Sequence, residues 1–261
     1  MAIGLIIIGD EILSGKRSDK HFSKVVELLT ARGLQLDWAE IIGDDPARIT
    51  ATLSRTMASK DIVFCCGGIG ATPDDHTRQC AAAAMNVDLE LHPEAKVLIQ
   101  RRITQTAEAA GQEVDLNTAD NLHRLKMGEF PKGAQIIPNS FNLIPGFSVF
   151  NHYFVPGFPV MAEPMITWVL DTHYSHLFHQ HERAEKSVLV FEIAESLLTP
   201  MMEQLEADFP LIKVFSLPSV GNHQIRRHIE LGVKGDPVQV EQAFAVLEQG
   251  LQKFNAEYVA A

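Results

Sequence analysis

Three short apolar runs near the start of the chain each break on glycine and acid, and that repetition limits the folds open to it. Ile3 to Ile8 is followed by Gly9-Asp10-Glu11, and Leu34 to Ile42 by Gly43-Asp44-Asp45-Pro46. Asp61 to Cys65 runs into Cys66-Gly67-Gly68-Ile69-Gly70-Ala71-Thr72-Pro73-Asp74-Asp75-His76-Thr77. Ile3 to Ile8 reads as a central parallel strand apolar on both faces, Asp61 to Cys65 as a buried strand, and Leu34 to Ile42 as a second strand. Helical stretches separate them. Ser18 is placed to cap one with Phe22, Val25, Val26 and Leu29 on its apolar face and Gly33 as its stop. Pro46 opens a second, lined by Ile49, Leu53 and Met57, and Arg78 to Met85 is an alanine-rich third. This βαβαβα order predicts a three-layer αβα fold on a mostly parallel sheet.

The rest of the chain extends that plan. Val87 to Leu91 reads as a short strand, Pro93 to Ala110 and Thr118 to Lys126 as helices. Gln135 to Pro138, Gly146 to Phe150 and Tyr153 to Val155 read as short strands, and Pro156-Gly157-Phe158-Pro159 as a turn into a helix over Val160 to Phe178. The expected division is a first domain over residues 1–172, a His-rich linker over 173–186 and a small α/β domain over 187–261. In the last, strand (Ser187 to Ile193), helix (Thr199 to Asp208), strands (Ile212 to Leu217, Gln224 to Val233) and helix (Pro237 to Phe254) suggest a split βαβ sandwich.

In a parallel sheet the loops after the strands share one edge, where such folds bind ligands. Asp10, Glu11, Asp44, Asp74 and Asp75 are therefore expected on one rim beside Gly67, Gly68 and Gly70. Glycines between a strand and a helix let the backbone approach a phosphate closely. Bare carboxylates there repel it, unless a divalent cation such as Mg²⁺ bridges the two or one carboxylate acts as a base. A plainer account competes: Thr72, Pro73 and Asp75 have the spacing of a capping box with proline in the first turn. The loop lacks the Gly-Lys-Ser/Thr ending of a nucleotide P-loop.

Other readings are narrowed by charge and composition. A net charge of −11 opposes general binding to nucleic acid. Cys65, Cys66 and Cys80 have no metal-site spacing and read as buried thiols of a cytoplasmic protein. The opening apolar run is too short to cross a membrane and no basic residue precedes it, so neither a span nor a signal peptide is expected. His173, His176, His179 and His181 match no zinc pattern, and no Gly-x-Ser-x-Gly marks a serine hydrolase.

Taken together, Gly9 to Gly15, Gly43 to Pro46, Gly67 to Thr77 and Pro156 to Pro159 resemble the MoaB/Mog-like molybdopterin-binding domain, in the form found at the front of competence/damage-inducible (CinA) proteins. The resemblance covers about residues 3 to 170. Nothing after Lys186 looks like the deamidase domain that ends many of those proteins, so the chain resembles a stand-alone form. The resemblance implies functional acids at Asp44 and Asp75, which would also hold a metal. It further implies a pocket that includes Asp10, Glu11, Ser14, Gly67, Gly68, Gly70, Thr72, Asp74, Thr77, Asn139, Ser140, Pro156, Gly157 and Pro159. It implies metal-dependent hydrolysis of a nucleotide pyrophosphate such as ADP-ribose, with a molybdopterin-binding or adenylylating protein and a non-catalytic binding module as alternatives. Self-association into a dimer or trimer is also implied. The chain departs from the pattern at His21, where asparagine is usual, at Ala71, where proline is common, and in the more apolar segment before Ile144-Pro145-Gly146.

Overall fold

The computed structural model describes residues 2–180, 184–221 and 225–261. The chain divides between Phe178 and His179 into two compact units. The first contains β1 (Ile3–Ile8), α1 (Asp10–Leu13), α2 (His21–Thr30), β2 (Trp38–Ile42), α3 (Pro46–Met57), β3 (Ile62–Cys66), α4 (Thr77–Met85), β4 (Leu89–Leu91) and α5 (Pro93–Ala109). It continues with α6 (Ala119–Leu125), β5 (Glu129–Pro131), β6 (Gln135–Ile137), β7 (Gly146–Val149), β8 (His152–Val155) and α7 (Pro159–His173).

Six strands form one sheet in the order β2-β1-β3-β8-β7-β6. β1 pairs in parallel with β2 and β3, and β3 with β8. β7 is antiparallel to both β8 and β6, so β7 alone runs against the rest. The carboxyl ends of β1, β2, β3, β8 and β6 consequently share one edge. Alternation along β1 sorts the two faces. Ile3, Leu5 and Ile7 pack with α2 (Val25, Leu29) and α7 (Met165, Val169). Ile6 and Ile8 pack with α3 (Ile49, Leu53), α4 (Cys80, Ala81) and α5 (Ala95). Helices on both faces of a mostly parallel sheet make the expected three layers. On the second face Phe130, Phe147 and Phe154 stack in series, with ring centroids 4.8 and 4.4 Å apart. Each such buried side chain contributes about 1.5–3 kcal/mol relative to exposure.

Local differences from the sequence reading have identifiable causes. Asp19, not Ser18, caps α2: its carboxylate accepts the N–H groups of His21 and Phe22, both at 2.9 Å. Regular pairing in the second strand begins at Trp38 rather than Leu34, after Asp37 has bonded with both its backbone and its side chain to Ile3. β5 is an added strand, antiparallel to β4. α7 stops at His173, where Tyr174 leaves helical geometry and its hydroxyl meets that of Tyr153 at 2.7 Å in the core.

The second unit comprises β9 (Ala184–Phe191), α8 (Glu195–Asp208), β10 (Ile212–Ser219), β11 (His228–Gly235), α9 (Pro237–Lys253) and β12 (Tyr258–Ala260). Its sheet, in the order β10-β11-β9-β12, is antiparallel throughout. That is the β-α-β-β-α-β ferredoxin-like plan. The core is Val188, Val190, Leu231 and Val233 against Leu198, Leu205, Val240, Leu247 and Leu251. β12 completes the plan and is too short to announce itself in sequence. β9 begins at Ala184, inside the segment read as linker, and β11 begins at His228. Gln224, read as the start of that strand, and His181 lie outside the described residues.

Candidate functional site

The carboxyl edge of the first sheet is built from the ends of β1, β2, β3, β8 and β6. β1 ends on Gly9, whose N–H donates to Ile42 O at 3.0 Å, and the single turn α1 then carries Asp10 beside the end of β2. Asp10 N–H donates to Asp44 Oδ2 at 2.8 Å and Asp44 N–H donates back to Asp10 Oδ1 at 3.2 Å. Asp45 is the cap of α3, accepting Arg48 N–H at 2.7 Å with Pro46 in the first turn. Asp44 is thereby released from capping. Burial pushes its acid upward, and the charges of Asp10, Glu11 and Asp74 raise it further against the opposing pull of the Asp10 N–H bond. Ser14 closes α1, donating its N–H to Asp10 O at 2.8 Å, and its side chain is exposed. A groove of about 420 Å³ lined by Leu13, Ile42, Gly43 and Arg48 opens next to this pair.

The glycine loop leaves β3 in a conformation only glycine holds at no cost. Gly67 has φ +112°, and a Cβ there would lie 2.2 Å from Ile8 O. Gly68 has φ +67°, and a Cβ there would lie 2.2 Å from Thr77 Oγ1. Thr77 explains why the loop doubles back: its hydroxyl donates to Gly67 O and its N–H to Gly68 O, both at 3.0 Å. In a trans peptide the carbonyl and the following N–H point opposite ways. With these carbonyls fixed toward Thr77, the N–H groups of Gly68 and Ile69 face away from it. Among the described residues the N–H groups of Gly68, Ile69, Gly70 and Ala71 have no acceptor. Gly67 differs: its N–H continues the sheet, donating to Val155 O at 3.0 Å. Gly67 therefore shapes the cradle without offering it a donor.

The two loop acids occupy different environments, and neither begins the helix. α4 starts at Thr77 after His76, which makes no side-chain cap. The Thr72–Asp75 pair instead closes a turn ahead of it. Asp75 N–H donates to Thr72 O at 3.0 Å, and Asp75 Oδ2 accepts Thr72 N–H at 2.9 Å and Thr72 Oγ1 at 2.5 Å. The reciprocity of a capping box is present, but it braces a loop. A Cβ on Gly70 would sit 2.4 Å from that same Asp75 oxygen. Asp74 is exposed at the tip of the turn. The acid whose charge reaches Asp44 is Asp74.

The remaining positions singled out in sequence hold turns together or lie exposed beside them. Asn139 is 4% exposed and holds its own turn together, donating to Asn142 Oδ1 and Ile144 O at 2.9 Å and accepting Phe141 N–H at 3.0 Å. Ser140 beside it is exposed. Pro156 and Gly157 link β8 to α7, with Pro159 in the first turn of the helix. A Cβ on Gly157 would lie 3.5 Å from Gly67 Cα, so this turn packs on the glycine loop. His21, the departure noted in sequence, is buried and its Nε2 lies 3.1 Å from Gly157 O. A carbonyl only accepts, so the ring donates there and braces the turn.

Two contacts had no sequence signal. Arg78, buried in the first turn of α4, reaches Gly70 O, and His123 Nε2 lies 2.9 Å from Ala71 O. The His123 contact depends on α6 folding back toward the loop, which local sequence does not disclose. The cysteines are free, buried thiols, each pushed up by burial. Among the described residues no three His, Cys, Asp or Glu side chains gather as a metal cage. His173 instead packs near Tyr153 and Trp168, with centroids 6.0 and 5.5 Å away.

Known proteins fit this geometry. Residues 4–176 match the family model described as "Probable molybdopterin binding domain". A CinA-like protein of Anaeromyxobacter sp. (strain Fw109-5) is 33% identical over 147 residues, which is 56% of this chain and 33% of the relative. A CinA-like protein of Citrifermentans bemidjiense is 31% identical over 212 residues, 78% of this chain and 47% of the relative. The chain thus spans between a third and a half of the length of these curated relatives. The crystal structure of CinA from Thermoplasma acidophilum, described as of unknown function, has a TM-score of 0.55 at 24% identity. That match covers 66% of this chain and 98% of the other, a likeness of fold. No helix among the described residues is long and apolar enough to cross a membrane. The chain belongs to the molybdopterin-binding domain family, and the relatives named here are CinA-like proteins.

Proposed function

We propose that this chain hydrolyses a nucleotide pyrophosphate such as ADP-ribose at the carboxyl edge of its first sheet, with a divalent cation. The observation that carries the reading is the run of N–H groups from Gly68 to Ala71 without acceptors among the described residues, on the same sheet edge as the fixed pair Asp10 and Asp44. Such a row of amides suits phosphate oxygens.

The donor set suits a cation shared with the ligand better than one held by protein alone. Magnesium commonly takes one or two carboxylates and completes its shell with water and substrate phosphates. Asp10 and Asp44 each use one oxygen on the other's N–H and retain one oxygen without a partner among the described residues. These two would hold the ion, with Asp74 near enough to add its charge. When bound, the ion would neutralise phosphate charge and polarise the pyrophosphate. On this reading Asp44 and Asp10, rather than Asp44 and Asp75, hold the metal, and Asp75 braces the loop.

The chain's own residues account for the remaining steps. Gly68, Ile69, Gly70 and Ala71 orient the diphosphate through their N–H groups. Asp44, fixed by Asp10, would hold the ion through its remaining oxygen, and the proton of the attacking water leaves to solvent. Water adds to one phosphorus, the bridging P–O bond breaks, and AMP and ribose 5-phosphate leave. Incubation of the protein with ADP-ribose and Mg²⁺ should release these two products in equal amounts; their absence with both Mg²⁺ and Co²⁺ overturns the reading.

The family description favours one further reading, a pterin ligand on the same edge. It predicts that the protein retains molybdopterin offered in solution, and a fluorescence titration showing no retention removes it.

A further inference from the structure

An acidic rim leaves unexplained where the positive charge to hold an anion on this loop would come from. Arg78 lies against the loop from the inside and is 3% exposed. Its Nη2 donates to Gly70 O at 2.6 Å, and its Nη1 donates to Lys126 O and, at 3.3 Å, to Glu129 O. All three acceptors are backbone carbonyls, and no ion pair to Arg78 is formed among the described residues. Its Nε–H is buried without an acceptor. A guanidinium is costly to bury unless it is paired and fully hydrogen-bonded, and this one is neither.

The bond to Gly70 O has a geometric consequence. With that carbonyl turned toward Arg78, the Ala71 N–H in the same peptide points the opposite way. His123 fixes the next carbonyl, Ala71 O, at 2.9 Å. Arg78 thus finishes what Thr77 begins at Gly67 and Gly68. The carbonyls of Gly67, Gly68 and Gly70 are held by Thr77 and Arg78, so the N–H groups of Gly68, Ile69 and Ala71 point away from them. They lie beside a guanidinium that makes no ion pair among the described residues and that only the more distant charges of Glu129 and Asp75 reach.

We propose that Arg78 is the positioning residue of an anion-binding loop: it turns the Gly70–Ala71 peptide so that its N–H faces outward, and its buried charge favours a diphosphate on the outer face. This rests on the reading that the loop from Gly68 to Ala71 receives phosphates, and it extends that reading to a residue with no place in the motif. The proposal also answers how an acidic edge tolerates a phosphate.

The test compares wild type, Arg78→Lys and Arg78→Met by calorimetric titration with inorganic pyrophosphate and with ADP-ribose, each with Mg²⁺. Circular dichroism first establishes a temperature at which all three are folded. Arg78→Met should weaken both ligands by about 10-fold or more, and Arg78→Lys, which keeps charge but not the fork, should recover part of that loss. A residue that merely supports the fold would shift the melting temperature and leave the affinity of the folded protein unchanged; that result overturns the proposal. If Arg78→Met does not fold, Arg78→Gln keeps N–H donors without charge and should show the same loss. Wild type that binds neither ligand overturns the underlying reading and this one together. Wild type that binds pyrophosphate but not ADP-ribose, with the loss in Arg78→Met intact, supports Arg78 and overturns only the choice of nucleotide.

Discussion

Asp10 and Asp44 cap one another across the ends of β1 and β2: Asp10 N–H reaches Asp44 Oδ2 at 2.8 Å and Asp44 N–H reaches Asp10 Oδ1 at 3.2 Å. The exchange holds two like charges together, and each carboxylate is stabilised by the partner's peptide rather than by a cation of the protein. A repulsive pair kept in place this way is a feature with a cost to folding. That cost gives the first prediction.

Asp44 should trade stability for function. A carboxyl whose folded pKa is raised disfavours the folded state once pH rises from its unfolded value through its folded value, because the fold then carries the charge it disfavours. Asp44→Asn keeps an oxygen for the Asp10 N–H and removes the charge. Its melting temperature at pH 7 should exceed that of wild type, and the gain should vanish as pH falls below about 4, where the wild-type carboxyl is protonated in both states. Scanning calorimetry at pH 7 and pH 3.5 decides it.

Asp45, its neighbour, should behave in the opposite manner. It caps α3 through Arg48 N–H at 2.7 Å. Asp45→Ala should cost about 1 kcal/mol in urea unfolding and leave ligand affinity unchanged. Equal loss of affinity in the two variants would contradict the division of labour between adjacent acids.

Acid should unfold the first unit partly through His152. The ring is 1% exposed, its Nε2 lies 2.9 Å from Thr56 Oγ1, and its Nδ1 has no partner. Burial lowers its pKa to about 4. The unfolded chain takes up the proton near 6.5 and the fold refuses it, so stability is intact above that value and falls as pH drops toward 4. The loss approaches roughly 3 kcal/mol. In His152→Gln the part of the acid sensitivity between pH 6.5 and 4 should disappear from the urea midpoints.

Gly67→Ala should be among the most damaging small substitutions. The new Cβ meets Ile8 O at 2.2 Å, a backbone atom of a central strand, at φ +112°. A loss of about 3 kcal/mol or more is expected from strain and displacement together. Gly15→Ala, at φ +71° with nothing within 4 Å, should cost only the backbone term, about 1 kcal/mol. Comparable losses in the two would show that the approach to Ile8 is not tight.

How far the sequence disclosed this structure can be judged residue by residue. Periodicity was enough for β1, β3 and the longer helices α2 and α3, which bury continuous patterns, whereas β2, an edge strand with only Ile42 buried, was found but begun too early. It was enough for the shared edge too, since a parallel sheet places those loops together wherever the side chains go. It failed at β5 and β12, three residues each, where pairing rather than pattern makes the strand. It also assigned the wrong local job to several polar residues. Ser18 yields to Asp19, and the Thr72–Asp75 pair closes a turn and not a helix, because each has two plausible backbone partners and only tertiary placement chooses between them. Arg78 and His123 were invisible for a related reason. Their acceptors are carbonyls, and a carbonyl leaves no trace in an amino-acid sequence.

The central claim is that Asp44, held by Asp10 on the sheet edge that also carries the glycine loop, works on a diphosphate. The most direct measurement is steady-state turnover of ADP-ribose with Mg²⁺ by wild type and Asp44→Asn, followed as AMP release across pH. Wild type should lose kcat/KM toward acid, where the ligand carboxylates are protonated, and Asp44→Asn should lose about 100-fold in kcat. AMP release by Asp44→Asn at the wild-type rate, with the same pH profile, would contradict the account.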